Sequence, residues 1–291
     1  MRAGREITVE APAKVNLWLR VLGRRESDGY HELDTRMVPL ELADSLRIRE
    51  LPAGRGLQFS CDDAGVPGGE GNLAVRAFRE LERASGRVLD AEIVLQKRIP
   101  SGAGLGGGSS DAAAVLAAVN RLLALGIGAE RLAAMAAGLG ADVPFFLHGQ
   151  PCDCRGVGEI IEPVGAVDPL SLLLVKPAFG VSTPWVYSRW KESRELPGID
   201  YAEQATPWGR IRNDLERPVF EKYPVLGILK GWLRAREGVR AALLSGSGST
   251  VFAILDERAN PGHLATAAQR EFGASTWCCP TRSAPGNPEP P

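Results

Sequence analysis

The run Pro100-Ser101-Gly102-Ala103-Gly104-Leu105-Gly106-Gly107-Gly108-Ser109-Ser110 carries the strongest chemical signal in the chain. Glycine has no Cβ, so such a run can turn several backbone N–H groups toward one anion and let a ligand come close. The Ala/Leu-rich stretch behind it, from about Ser109 to Leu125, reads as a helix. The free N–H groups of its first turn and its dipole add to the pull on negative charge. Ser109 and Ser110 supply hydroxyls for a phosphate oxygen or a metal ion. The assembly suits a polyphosphate. A flexible linker or a tight turn is the plain alternative, but linkers rarely run straight from a strand into a long helix. A Walker loop ends in Gly-Lys-Ser/Thr, and no lysine lies between Lys97 and the helix. Gly102, Gly104 and Gly107 fit G-x-G-x-x-G, but a dinucleotide fold needs a parallel strand after the helix, and Ala129 to Leu139 reads as another helix.

A polyphosphate site needs an acceptor and a base to be a kinase. Asp142, in Gly140-Ala141-Asp142-Val143-Pro144, precedes a short apolar helical stretch. A helix N-cap would account for it fully. A carboxylate there could equally orient an alcohol and take its proton as the phosphorus–oxygen bond forms. Lys14 shares a strand face with Asn16. It reads as a solvated strand lysine, or as a cation that keeps Asp142 ionised and steadies charge on the transferred group. Tyr30 and His31 follow the Asp28-Gly29 turn and offer either a lid on the core or an aromatic platform with a polar edge for a flat ring. Ser245-Gly246-Ser247-Gly248-Ser249-Thr250 reads as a hairpin turn or as a second nest of backbone amides.

The elements that must hold these residues are legible in outline. Alternation from Lys14 to Val21 predicts a half-buried strand. Extended sequence follows from Met37 to Leu42, with alternation again from Ser45 to Arg49. A helix is expected over Asn72 to Ala84, and a strand over Ala91 to Ile99 that Pro100 stops. Gln150 to Gly158 reads as a domain junction. A buried strand at Leu172 to Lys176 is expected next. Thr183-Pro184 then reads as a helix start with Thr183 as the cap. Asn213 to Arg236 is mostly helical, and Ala241 to Leu255 is a strand, glycine turn and strand. The pattern is that of an α+β protein. With 291 residues the chain has room for two domains. We place the first at 1–152, the second at 153–280 and a disordered Pro-rich tail at 281–291.

Composition narrows the classes. The chain is 44% hydrophobic and 24% charged, which is ordinary for a globular protein. Lys plus Arg number 34 against 35 Asp plus Glu, so no basic surface is expected to hold a nucleic acid. No apolar run reaches the roughly 18 residues a membrane span needs. The start is polar and charged, without a signal-peptide stretch, and a cytoplasmic protein is expected. The five cysteines lack paired metal-site spacing and read as reduced thiols. Oligomeric state is left open.

Taken in order, several segments resemble the GHMP kinase superfamily. They are Ala11–Leu17, Asp28–Leu33, Asn72-Leu73, the Pro100–Ser110 loop with Asp111-Ala112-Ala113, Gly140–Pro144, Arg155–Glu159, Asn213-Asp214-Leu215 and Ser245–Ser249. The glycine loop marks the superfamily. The Lys14 and Asp28–Leu33 segments point to its branch that acts on a cytidine-bearing sugar alcohol of non-mevalonate isoprenoid synthesis. The resemblance implies a ribosomal protein S5 domain 2-like N-terminal domain, a ferredoxin-like C-terminal domain and an active site between them. It implies ATP as co-substrate, Mg²⁺, and a small-molecule partner. Pro100 to Ser110 would wrap the ATP phosphates, with Asp142 as base and Lys14 as its partner. Asn16 would fix the alcohol end. Tyr30 and Tyr187 would sandwich cytosine while His31 reads its edge, and Thr183 and Pro184 would shape the same wall. Asn72 and Gly248 complete the expected substrate-binding set. The protein ligands of the metal are left unassigned, because Asp111 beside phosphates would repel them unless a cation lies between. A mevalonate- or homoserine-type kinase, or a non-catalytic nucleotide sensor of the same fold, are the alternatives.

Overall fold

The protein is described by a computed structural model over residues 4–164 and 168–285. Strands β1 (Glu6–Arg24) and β2 (His31–Glu50) form one long antiparallel hairpin, paired from Glu6 opposite Arg49 to Arg24 opposite His31 with register shifts at Pro12/Lys14, Asn16/Trp18 and Val21/Gly23. β3 (Leu57–Cys61) and β4 (Ala91–Gln96) extend the sheet beyond β2, and β5 (Cys152–Gly156) and β6 (Ile160–Pro163) join it at the other end of β2. Helices α1 (Leu73–Ser85), α2 (Gly107–Leu122), α3 (Ala129–Leu139) and the short α4 (Val143–Phe146) belong to this half. In α1 the buried residues Ala74, Val75, Ala77, Phe78 and Leu81 form one stripe, and Gly86 in the left-handed region ends it. α2 is buried on nearly every side from Ser110 to Val119. Its alanines allow that close packing, so its N-terminus is fixed by the core rather than by solvent-facing charge.

The second half contains β7 (Ser171–Lys176), α5 (Thr183–Arg189), β8 (Gln204–Thr206), β9 (Gly209–Asn213), α6 (Glu216–Lys222) and α7 (Pro224–Arg234). β10 (Val239–Leu244), β11 (Val251–Leu255), α8 (Pro261–Phe272) and β12 (Trp277–Arg282) complete it. Its four-stranded sheet runs β10-β11-β7-β12, antiparallel throughout. Both faces of this sheet are covered. Leu173, Val175, Ala242 and Leu244 pack with the residues of α6 and α7, while Leu172, Leu174, Ala241, Leu243, Phe252 and Ile254 pack with Val15, Leu17, Val38, Leu40 and Leu105 of the first half. The continuous apolar sequence of β7 follows from this two-sided burial, and the shared apolar layer joins the halves beneath the site.

Several expectations need correction. Lys14 to Leu17 are buried on both faces, and within the expected stretch alternation resumes only at Trp18, with Trp18 and Arg20 facing outward. The Gln150–Gly158 junction is instead β5, paired with β2 from Leu33 opposite Gly156 to Met37 opposite Cys152. A boundary at 152/153 therefore cuts a strand of the first sheet. β9 also returns to that sheet, with Trp18 opposite Arg212 and Leu19 opposite Asn213. The expected disordered tail starts too early. Thr281 and Arg282 end β12, the Ser283 Oγ accepts from Leu170 N at 2.8 Å, and Ala284 N donates to Pro39 O at 2.8 Å. The remainder of that tail, 286–291, lies outside the described residues. The cap of α5 is Ser182 rather than Thr183. All five cysteines are free, and burial pushes the Cys152 thiol up to about 12.

Candidate active site

A cleft of about 1480 Å³ opens along the seam between the halves. The glycine loop forms its floor. Gly104 (φ +73°) passes so close to the Ser245–Ser249 turn that a Cβ there would lie 2.2 Å from Ser245 O. At Gly106 (φ +75°) a Cβ would meet Phe146 at 2.8 Å and the Lys14 side chain at 3.1 Å. Both positions need glycine for conformation and for space. Lys14 N donates to Leu105 O at 2.9 Å, Ser245 Oγ to Gly104 O at 3.0 Å, and Thr250 N to Ala103 O at 3.2 Å. The loop is thus stitched to β1 on one side and to the β10–β11 turn on the other. No side chain caps α2, which leaves its first-turn N–H groups to a ligand.

Lys14 and Asp142 meet beside that loop. The Lys14 Nζ lies 3.5 Å from Asp142 Oδ2, with the lysine side chain 4% exposed and the aspartate 38%. Lys14 also donates to Asn16 Oδ1 at 2.7 Å, and Asn16 Nδ2 donates to Thr35 Oγ1 at 2.8 Å. Asp142 occupies the N-cap position of α4, but its own backbone is helical (φ −86°, ψ −13°) and its side chain makes no capping hydrogen bond. Capping therefore does not account for the carboxylate, which faces Lys14 and the cleft instead.

His31 sits among aromatic rings on the same cleft wall. Its ring centre is 5.2 Å from that of Tyr187 and 6.0 Å from that of Trp190, which stands nearly perpendicular to it at 82°. Burial, and then the charge of Arg24, hold the imidazole below its ordinary pKa. Burial and the nearby Asp142 charge push the Tyr187 phenol well above its usual range, so it stays neutral. A neutral imidazole presents one donor and one acceptor, the pattern a heterocyclic base edge requires.

The GHMP kinases N-terminal domain family matches residues 72–150, and the GHMP kinases C-terminal family matches residues 201–274. A 4-diphosphocytidyl-2-C-methyl-D-erythritol kinase from Geobacter metallireducens is 42% identical over 277 residues, 94% of this chain and 96% of that protein. The chain belongs to the 4-diphosphocytidyl-2-C-methyl-D-erythritol kinase family, within the GHMP kinases. A crystal structure of 4-(cytidine 5'-diphospho)-2C-methyl-D-erythritol kinase superposes with a TM-score of 0.76 at 41% identity, covering 96% of this chain and all of that one. A homoserine kinase from Cytophaga hutchinsonii, 18% identical with a TM-score of 0.67, shares the fold.

In this member of the kinase family, the expected residues fall into three groups. Lys14, Asn16, Tyr30, His31, Thr183, Pro184, Tyr187 and the loop from Pro100 to Ser109 line the cleft together. Thr183 Oγ1 is fixed by Ser247 Oγ at 2.6 Å, and Tyr30 is 64% exposed. Asn72 also reaches the cleft, but its amide is engaged in structure. Its Oδ1 accepts from Ala74 N at 2.9 Å and its Nδ2 donates to Pro67 O at 3.0 Å, which fixes the Gly65–Pro67 wall. Ser110 and Gly248 do not line it. Ser110 is buried behind the first turn of α2, and Gly248 packs beneath Gly104, its N donating to Ser245 O at 2.9 Å.

Sequence reasoning missed a buried cluster behind the loop. The Lys97 ammonium, 7% exposed, bonds to Asp44 Oδ2 and lies 2.9 Å from Asp111 Oδ2. Asp44 Oδ1 accepts from Arg98 N at 2.5 Å and Ile99 N at 2.8 Å, the residues leading into Pro100. Burial, against the pull of Lys97, raises Asp111 to about 7. The two carboxylates raise Lys97 despite its burial. Lys97 thus balances charge on both carboxylates. Its place just before Pro100 was a usable signal; Asp44, in the middle of β2, gave none. Arg24 and Trp190 were missed as well.

Proposed function

We propose that this enzyme transfers the γ-phosphoryl group of ATP to the 2-hydroxyl of 4-diphosphocytidyl-2-C-methyl-D-erythritol, acting in the cytoplasm. The observation that carries the reading is the Lys14–Asp142 pair standing beside the uncapped N-terminus of α2, in one cleft with the aromatic surround of His31. The substrate hydroxyl enters next to Asp142, which accepts its proton as the new P–O bond forms and ADP leaves. Lys14, facing Asp142, balances charge gathering on the transferred group. Asn16, oriented by Thr35, holds the alcohol. Tyr187 and Tyr30 cover the two faces of cytosine and His31 reads its edge. The loop amides from Gly102 to Ser109 take the phosphate charge, so most of the rate gain comes from positioning.

Mg²⁺ fits the residues present. Asp111 Oδ1 is buried without a hydrogen-bond partner, and Ser109, two residues earlier in the first turn of α2, lines the cleft. A free carboxylate oxygen and a hydroxyl are the hard-oxygen donors this ion takes, the rest coming from phosphates and water. Ser109 and Asp111 would hold it, and when bound it neutralises charge on the ATP phosphates.

ADP release by purified protein tests the assignment. Turnover is expected with the cytidine substrate and not with mevalonate or homoserine, and Asp142→Asn should lower kcat about a hundredfold or more. Turnover on mevalonate or homoserine alone, or nucleotide binding with no ADP release on any acceptor, would overturn it.

A further inference from the structure

The substrate of that reading joins cytosine to a sugar alcohol through a diphosphate, so a cation on the cleft wall near His31 is needed to balance it. Besides His31, the basic side chains on the cleft wall are Lys14, Arg24, Lys97 and Lys191. Lys14 faces Asp142 and Lys97 is held between Asp44 and Asp111, so each is already neutralised. Lys191 stands on the exposed turn after α5, where no strand register fixes it. Arg24 is different. It ends β1 as the direct cross-strand partner of His31, so the two side chains share a face of the hairpin. Its Nε donates to Gly29 O at 2.9 Å, which tethers the guanidinium and leaves its terminal N–H groups for a ligand. The neighbouring Arg25 is saturated by Asp28 at 2.6 Å and Glu159 at 3.7 Å. Arg24 has no carboxylate partner among the described residues.

We propose that Arg24 binds the diphosphate of the substrate, making this end of the cleft a nucleoside-diphosphate site rather than a nucleoside site. The inference rests on the cytidine-substrate reading above. A planar guanidinium fork matches paired phosphate oxygens, and charge-assisted bonds of this kind are among the stronger ones. Because the contact is the same in ground and transition states, it lowers KM and leaves kcat alone.

The test compares wild type with Arg24→Gln and Arg24→Lys in the full-length enzyme. Arg24→Gln should raise KM for the cytidine substrate about tenfold with kcat within about twofold. Competitive inhibition by cytidine 5'-diphosphate should weaken by the same factor, while inhibition by cytidine stays unchanged. Arg24→Lys should fall between, and added salt should raise KM in wild type more than in Arg24→Gln. An equal loss for cytidine and its diphosphate, or no loss for either, sinks the proposal. If wild type fails to phosphorylate the cytidine substrate, the functional reading falls instead; if it succeeds while Arg24→Gln is indifferent, only the Arg24 assignment falls.

Discussion

Two lysines line the same cleft and do opposite things. Lys97 is locked between Asp44 and Asp111, whose side chains are both buried, and one of those carboxylates also binds the backbone that enters the glycine loop. Lys14 faces a single carboxylate, at 3.5 Å, and that carboxylate is open to the cleft. The first arrangement holds Lys97 between both carboxylates, with only Asp111 Oδ1 left unpaired, and acts as a strut beneath the glycine loop. In the second, a loose pair at the solvent boundary can admit a hydroxyl between its members. Burial and the number of partners, not residue type, separate a structural ion pair from a reactive one.

The sharpest way to break this comparison is to remove both cations. Lys97→Met strands two buried carboxylates and should lower stability by about 3–5 kcal/mol, read from urea unfolding. Adding Asp111→Asn should restore part of that loss; equal stability of wild type and Lys97→Met would show that the cluster is no strut. Lys14→Met should cost less, about 1–3 kcal/mol for the buried Asn16 Oδ1 left without its donor, and lower kcat by a factor on the order of 10²–10³, as removal of one charge-stabilising group does. A variant with normal kcat and lowered stability would reverse the two roles.

The aromatic surround offers a finer test through pH. Since His31 titrates below its ordinary value near 6.5, KM for the cytidine substrate should be flat above about pH 6.5 and climb by up to about tenfold per unit once the ring charges. The linkage has the same sign: the folded state binds this proton less readily than the unfolded chain, so the stability tied to the neutral ring is present above the unfolded pKa and declines as pH falls. His31→Gln should flatten the KM profile in steady-state kinetics. The smallest effect belongs to Asn72→Ala, which removes the α1 cap and the tie to Pro67. It should cost about 1 kcal/mol by thermal unfolding.

Local chemistry was readable in the chain. The glycine loop and its helix, the span of α1 after Asn72, the end of β4 before Pro100 and the β10–β11 turn follow from residues near one another in sequence. Periodicity could not show that Lys14 to Leu17 are covered on both sides, because the second cover comes from the glycine loop and the other half of the molecule. The Gln150–Gly158 stretch carries the composition of a linker, yet β2 offers it an unpaired edge and it becomes β5.

By itself, then, the sequence determined which residues could grip phosphate and which carboxylate and lysine were worth watching, since backbone freedom, helix ends and turn chemistry are local properties. Tertiary structure alone decided that Lys14 meets Asp142, that Lys97 is held by Asp44 and Asp111, that Gly248 supports the floor instead of lining it, and that Arg24 lies beside His31 with no carboxylate partner among the described residues. The reason is register and packing. A sheet aligns distant segments one residue at a time, and only that alignment fixes which charges are neutralised and which are left for a ligand.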